Sequence, residues 1–123
     1  QDLRRELQLA MLFISHDFST LSYICDRTAI MYLGKIMEVG PTSELIREPA
    51  HPYTRLLLAA VPRLDGNGRR QRVLVPGEVP DPINVPPGCR FHPRCPFREP
   101  RCAEQVPALK PIAPGRWAAC LLL

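Results

Sequence analysis

The sequence predicts an α/β fold followed by an irregular, cysteine-rich tail, and three observations carry that reading. Leu9 to Ile14 is a continuous apolar run of strand length, which suits a strand covered on both faces. Short strand-like and helix-like segments then alternate as far as residue 61. Beyond that point the chain changes character: twelve of the fifteen prolines lie at or after Pro62, and four of the five cysteines are Cys89, Cys95, Cys102 and Cys120. Charge divides in the same way. Residues 1–85 hold ten basic and ten acidic side chains, so the formal net charge of +4 sits in residues 86–123.

Leu3 and Leu7 share one face of a short opening helix, ahead of the apolar run. Ser15, His16 and Asp17 end that run, and Asp17 is suited to N-cap a helix whose buried stripe is Phe18, Leu21, Ile24 and Cys25. Thr28 to Leu33 forms the next predicted strand, with Ile36 to Val39 after it. Gly34-Lys35 between them reads as a type II′ hairpin loop, because Gly stands first. Gly40-Pro41-Thr42-Ser43 opens a short helix that ends before Pro49. Pro52 starts another, with Tyr53, Leu56, Leu57 and Ala60 on its apolar face. From Pro62 to Gly88 the text is turn and linker, with only Arg72 to Val75 resembling a strand. The six prolines between Pro93 and Pro114 argue against long helices or central strands in the tail, so it needs something other than a large apolar core to hold it.

The apolar run is far short of the ~20 residues of a membrane-spanning helix. Mixed charges near the start do not form a signal-peptide pattern, which makes a non-secreted chain the expectation. The sequence begins at Gln1, inside what reads as a helix and with no initiator Met, so it is expected to continue upstream. An odd cysteine count and the lack of a leader weigh against a disulfide-linked secreted domain.

Two constellations carry chemistry. In open α/β sheets, ligands bind beyond the carboxyl ends of strands, and His16 stands directly after the apolar run. A neutral imidazole there could donate one hydrogen bond and accept another, touching a phosphate oxygen and an attacking water; alternatively, His16 caps a turn. The second constellation is the four tail cysteines, separated by five, six and seventeen residues. That spacing lacks the paired two-residue gaps of zinc ribbons, and four thiolates can complete either a zinc site or an iron–sulfur cluster. Arg90, Arg94, Arg98, Arg101 and Arg116 are placed to offset the negative charge of such a centre. His92 could serve as a substitute ligand, and Cys25 reads as an inert core thiol.

Leu12-Phe13-Ile14-Ser15-His16-Asp17, Asp26-Arg27, Met31-Tyr32-Leu33-Gly34-Lys35-Ile36 and Glu38-x-Gly40-Pro41 resemble the switch-histidine region and following hairpin of ABC-transporter ATPases. His51-Pro52-Tyr53-Thr54-Arg55-x-Leu57-Leu58, with Pro62 beyond it, narrows the resemblance to the ATP-binding subunits of dipeptide, oligopeptide and nickel importers. The resemblance covers essentially the whole chain and implies the C-terminal part of an ABC-type P-loop ATPase domain with a Cys-rich extension. It implies ATP and Mg as cofactors of the complete subunit, whose phosphate loop, glutamine loop, signature sequence and Asp-Glu pair are all missing here. By the same resemblance His16 would contact the γ-phosphate, and Cys89, Cys95, Cys102 and Cys120 would hold a four-iron four-sulfur cluster, with zinc as the alternative. The implied partners are a second ABC ATPase subunit and transmembrane permease subunits, at the cytoplasmic face of the membrane and without nucleic acid.

The organisation is then residues 1–61 as part of a nucleotide-binding domain, 62–88 as linker and 89–123 as metal-binding extension. Without the missing phosphate-binding groups the chain alone is expected to be inactive, since phosphoryl transfer needs several of them at once. A competing expectation of another class is a metal-stabilised nucleic-acid module, prompted by the basic tail and by Phe91, Phe97 and Trp117 near arginines.

Overall fold

In the computed structural model, which describes residues 2, 6–61 and 80–123, the apolar run is not a strand. Residues 9–15 are irregular, with Leu12 92% and Ile14 89% exposed. This corrects the sequence expectation, and the cause is physical: a run apolar on both faces needs neighbours on both, and the described residues supply none. Of the opening helix, Leu3 lies outside the described residues, as do the strand-like Arg72 to Val75 and most of the linker; Leu7 is exposed at a turn.

Helix α1 (Phe18–Ile24) starts as expected. The Asp17 carboxylate accepts from the amides of Ser19 and Thr20, satisfying two donors that the first helical turn leaves free, and Leu21 is buried. Strands β1 (Arg27–Tyr32) and β2 (Lys35–Pro41) pair antiparallel, with Tyr32 opposite Lys35. The loop is therefore Leu33-Gly34, one residue earlier than the expected Gly34-Lys35, and both of its residues have positive φ (46° and 75°). That is the type I′ pattern rather than II′, whose twist matches the flanking strands. Burial strictly alternates along β1, so Thr28, Ile30 and Tyr32 face inward.

Helix α2 (Thr42–Arg47) buries Leu45 and is tied to β1 by a 2.9 Å hydroxyl pair between Thr28 and Thr42. Helix α3 (Pro52–Ala60) begins with Pro at its first position, where no amide is required. Its buried residues are Pro52, Thr54 and Leu56, so the inward stripe differs from the expected one at Ala60, which is exposed.

Two strands in the tail were not anticipated. Strands β3 (Lys110–Ala113) and β4 (Arg116–Ala118) form a hairpin, and β4 pairs with β2, giving a four-stranded antiparallel sheet in the order β1-β2-β4-β3. Proline did not prevent this because Pro111 falls on an edge strand and Pro114 forms the two-residue turn with Gly115. A 3₁₀ turn (His92–Arg94) and the four-residue helix α4 (Arg101–Glu104) complete the described elements. The tail shares its core with the hairpin. Tyr32, Met37 and Leu56 pack with Cys89, Phe91 and Cys102, and Tyr53, Cys95, Leu121 and Leu122 line the margin.

Candidate functional site

Two buried centres adjoin, the His51 ring of the first lying 5.9 Å from the Phe91 ring that packs with the cysteines of the second. The first is built on Glu38, fully buried in the middle of β2. Its two oxygens accept from the amides of Ala50 (3.0 Å) and His51 (2.9 Å), and one of them also accepts from the Arg116 guanidinium at 3.1 Å. Arg116 donates further to the Glu48 carbonyl, and its Nε lies 3.9 Å from a Glu44 carboxylate oxygen. Gly40 makes room for this arginine, since a Cβ there would stand 2.9 Å from Arg116 Cγ. Arg116 is thus committed to an ion pair with Glu38, 78 positions away, and is not beside the thiols as expected from sequence.

His51 continues this centre. Its Nδ1 accepts from the Tyr53 amide at 3.0 Å and so caps α3. Burial pushes its pKa from 6.5 down to about 4, against the opposing pull of Glu38 and of a hydrogen bond to the Ala119 backbone. The ring is neutral near pH 7. The family marker His51-Pro52-Tyr53 therefore works as a helix start and as packing: Tyr53 lies 4.7 Å from the Tyr32 ring and 5.2 Å from Phe91.

The second centre is the cysteine region. Cys89 and Cys102 are buried, Cys95 and Cys120 half-buried, and all four are free thiols. The Cys89 amide donates to the Cys102 carbonyl at 2.8 Å, joining the 3₁₀ turn to α4. Gly88 permits that approach: its φ is +66°, and a Cβ would meet the Cys102 carbonyl oxygen at 2.5 Å. Burial raises the Cys89, Cys95 and Cys120 thiols above their usual pKa, and mutual repulsion adds to it, with Cys89 feeling Cys120, Cys102 and Cys95. A backbone hydrogen bond from the residue two positions on opposes this at each of the three: Phe91 at Cys89, Phe97 at Cys95 and Leu122 at Cys120. Arg98 acts on Cys95, and Arg55 and Arg101 on Cys120.

The four thiols are neighbours in charge but not in bonding distance. Among the described residues no group of three or more His, Cys, Asp or Glu side chains is set to hold a metal ion as it stands. Coulombic interaction reaches beyond the ~2.3 Å of a metal–sulfur bond, so both observations hold together. His92 is turned to structure, its Nδ1 2.9 Å from the Cys89 carbonyl. Arg90 donates to the Leu33 carbonyl and so pins the hairpin loop to the tail. Cys25 takes no part; it is the C-cap of α1, its amide donating to Leu21.

His16 stands apart from both centres, exposed at the bend between the apolar run and Asp17. Sequence reading missed Glu38, His51 and Arg116 as a connected centre. The available signal was an acid within the apolar strand Ile36-Met37-Glu38-Val39, a position that a carboxylate occupies only when paired.

Residues 37–102, more than half of the chain, match the family described as oligopeptide/dipeptide transporter, C-terminal region. The chain is 46% identical over 98% of its length to a Brucella ovis protein named as a peptide import ATP-binding protein, of which it covers 38%. It is 48% identical over 99% of its length to the oligopeptide transport ATP-binding protein AppF of Bacillus subtilis, again covering 38%. Identity to a Sinorhizobium fredii protein named as a peptide ABC transporter ATP-binding protein is 48% over 97% of the chain and 34% of the relative. The chain spans somewhat more than a third of the length of these curated relatives.

Proposed function

The chain belongs to the family of oligopeptide/dipeptide transporter C-terminal regions, and from that membership we propose that it is the distal part of the ATP-binding subunit of a peptide-importing ABC transporter. The observation that carries the proposal is similarity extending across both the hairpin and the tail, at 48% identity over 99% of the chain to an oligopeptide transport ATP-binding protein. In the complete subunit ATP and Mg are held by upstream residues, and hydrolysis is coupled to import through permease subunits and a second ATPase subunit at the cytoplasmic face of the membrane.

Within that subunit His16 is the residue of this chain that meets the γ-phosphate. The exposed run 9–14 supports this placement, because an apolar segment with no partner of its own is suited to entering a sheet supplied by the rest of the subunit, with His16 at its carboxyl end. Imidazole there would hold a terminal phosphate oxygen and orient water. His16→Ala in the complete, permease-reconstituted subunit is expected to lower ATP turnover on the order of 10²-fold, the scale for losing one transition-state donor. Unchanged turnover would return His16 to a turn residue. Magnesium-dependent turnover by the 123-residue chain alone would overturn the assignment of the remaining site to upstream residues.

The tail holds a four-iron four-sulfur cluster on Cys89, Cys95, Cys102 and Cys120. The chemistry of the donors supports this reading: four free thiols influence one another electrostatically, and three accept an amide hydrogen bond that favours the thiolate. One zinc ion needs four sulfurs about one centre, whereas a cluster takes one cysteine per iron and spans a wider opening. When bound, such a cluster would cross-link the 3₁₀ turn, α4 and the chain end. Iron, sulfide and zinc analysis after anaerobic purification tests this, and stoichiometric zinc without sulfide would replace the cluster by a zinc site.

A further inference from the structure

A groove of about 630 Å³ lies between the tip of the β1–β2 hairpin and the segment that leads into β3. One wall is formed by Met31 and Ile36, which stand opposite each other in the register of the two strands. Met31 is on the face of β1 turned away from the buried core, and it is 58% exposed. The other wall is the stretch from Val106 to Leu109, with Val106 68% exposed. Large apolar side chains gathered along one concave surface mark a place of docking, because leaving them in water is costly. The groove is also preformed. Arg90 donates to the Leu33 carbonyl and holds the hairpin tip to the tail. The Ala119 amide donates to the Met37 carbonyl at 2.8 Å, and both of these residues line the groove.

Charge and length constrain what fills it. The charged side chains that line the groove are Lys35 and Arg90, both cations, and no acid stands among the described residues that line it. An occupant with a carboxylate beside its apolar side chains meets that lining with complementary charge. A second copy of this chain does not. A twofold contact through the groove would turn the same cationic surface on itself, in a tail that carries the formal +4. Length points to the source: the chain covers 38% of the transport ATP-binding protein AppF, so most of such a protein lies outside these 123 residues. Resting on the reading of this chain as the distal part of an ATP-binding subunit, we infer that the groove seats an apolar, carboxylate-bearing segment from the upstream part of the same subunit. One wall comes from the hairpin and the other from the tail, so a single occupant fastens both to the upstream part.

The test uses the complete subunit carrying Val106→p-benzoylphenylalanine or, in a second variant, Leu109→p-benzoylphenylalanine. Both positions are exposed, so the bulky ring is accommodated without repacking the core. Each protein is irradiated in dilute solution, and the products are sized and mapped by mass spectrometry. The expected product has the mass of one subunit, with the cross-link on a residue upstream of Gln1. Adding Lys35→Glu reverses a charge on the lining and is expected to lower the yield of that product severalfold; an unchanged yield overturns the carboxylate as part of the occupant. A cross-link between two subunits, a cross-link confined to residues 1–123, or none from either position overturns the inference. ATP turnover by the wild-type subunit, reconstituted with its permease, separates this from the reading it rests on. Turnover without an upstream cross-link overturns the groove assignment alone. Absence of turnover overturns the ATP-binding-subunit reading, and this inference with it.

Discussion

The apolar run 9–14 and strand β1 are alike in length, six residues each, yet only β1 is a strand. Along Arg27–Tyr32 burial alternates, so one face meets the core while the other tolerates solvent, and a two-residue loop delivers β2 as a partner. The run has no polar face and no strand partner among the described residues, and Leu12 and Ile14 are left in solvent. The difference teaches that strand-forming residues are insufficient: a strand forms where the same chain can satisfy both its edges and its faces. The tail makes the point from the other side. Lys110–Ala113 has poor strand composition but pairs with β4, which β2 holds in place.

The largest expected effect comes from breaking the node that ties the paired region to its tail. Glu38→Ala leaves Arg116 buried without its carboxylate and two amides without an acceptor, and is expected to cost about 3–5 kcal/mol in urea unfolding. Replacing both partners, Glu38→Met with Arg116→Met, should recover much of that loss. If the double replacement is as damaging as the single one, the pair is not the source of the effect. Ile30→Ala, on the buried face of β1, should cost about 2–5 kcal/mol by the same measurement, and a negligible loss would mean that β1 is no better anchored than the run.

An effect of comparable or smaller size is expected from pH. His51 titrates at about 4 in the folded chain against 6.5 for an ordinary histidine, so between those values the unfolded state binds a proton that the folded state refuses. Stability is therefore fully present above pH 6.5 and falls as pH drops toward 4, by up to about 3 kcal/mol. His51→Asn retains a neutral cap for the Tyr53 amide and should flatten this slope; an unaltered slope would assign it to other groups. The smallest effect belongs to the run. Leu12→Ala should change the stability of the 123-residue chain by no more than about 0.5 kcal/mol. In the complete subunit it should cost several times more if the run enters a sheet there, and equal, small effects in both would deny the run a buried partner.

Local patterns were legible wherever the cause is local. Asp17 capping α1, Pro52 starting α3 and the presence of β1 and β2 on either side of Gly34 can all be read from neighbouring residues. The family was legible too, because His51-Pro52-Tyr53 and the Cys89–Cys95 region are contiguous signatures, whatever their geometry. The loop residues were misassigned by one, since the register is decided by Tyr32 facing the core opposite Lys35 and not by the position of Gly34. What tertiary structure alone decided is long-range. It paired Glu38 with Arg116, withdrew that arginine from the thiols it was expected to serve, and gave the tail a strand partner in β2. Each depends on the cost of burying a charge or an N–H without a counterpart. The counterpart lies tens of residues away, where composition and spacing carry no trace of it.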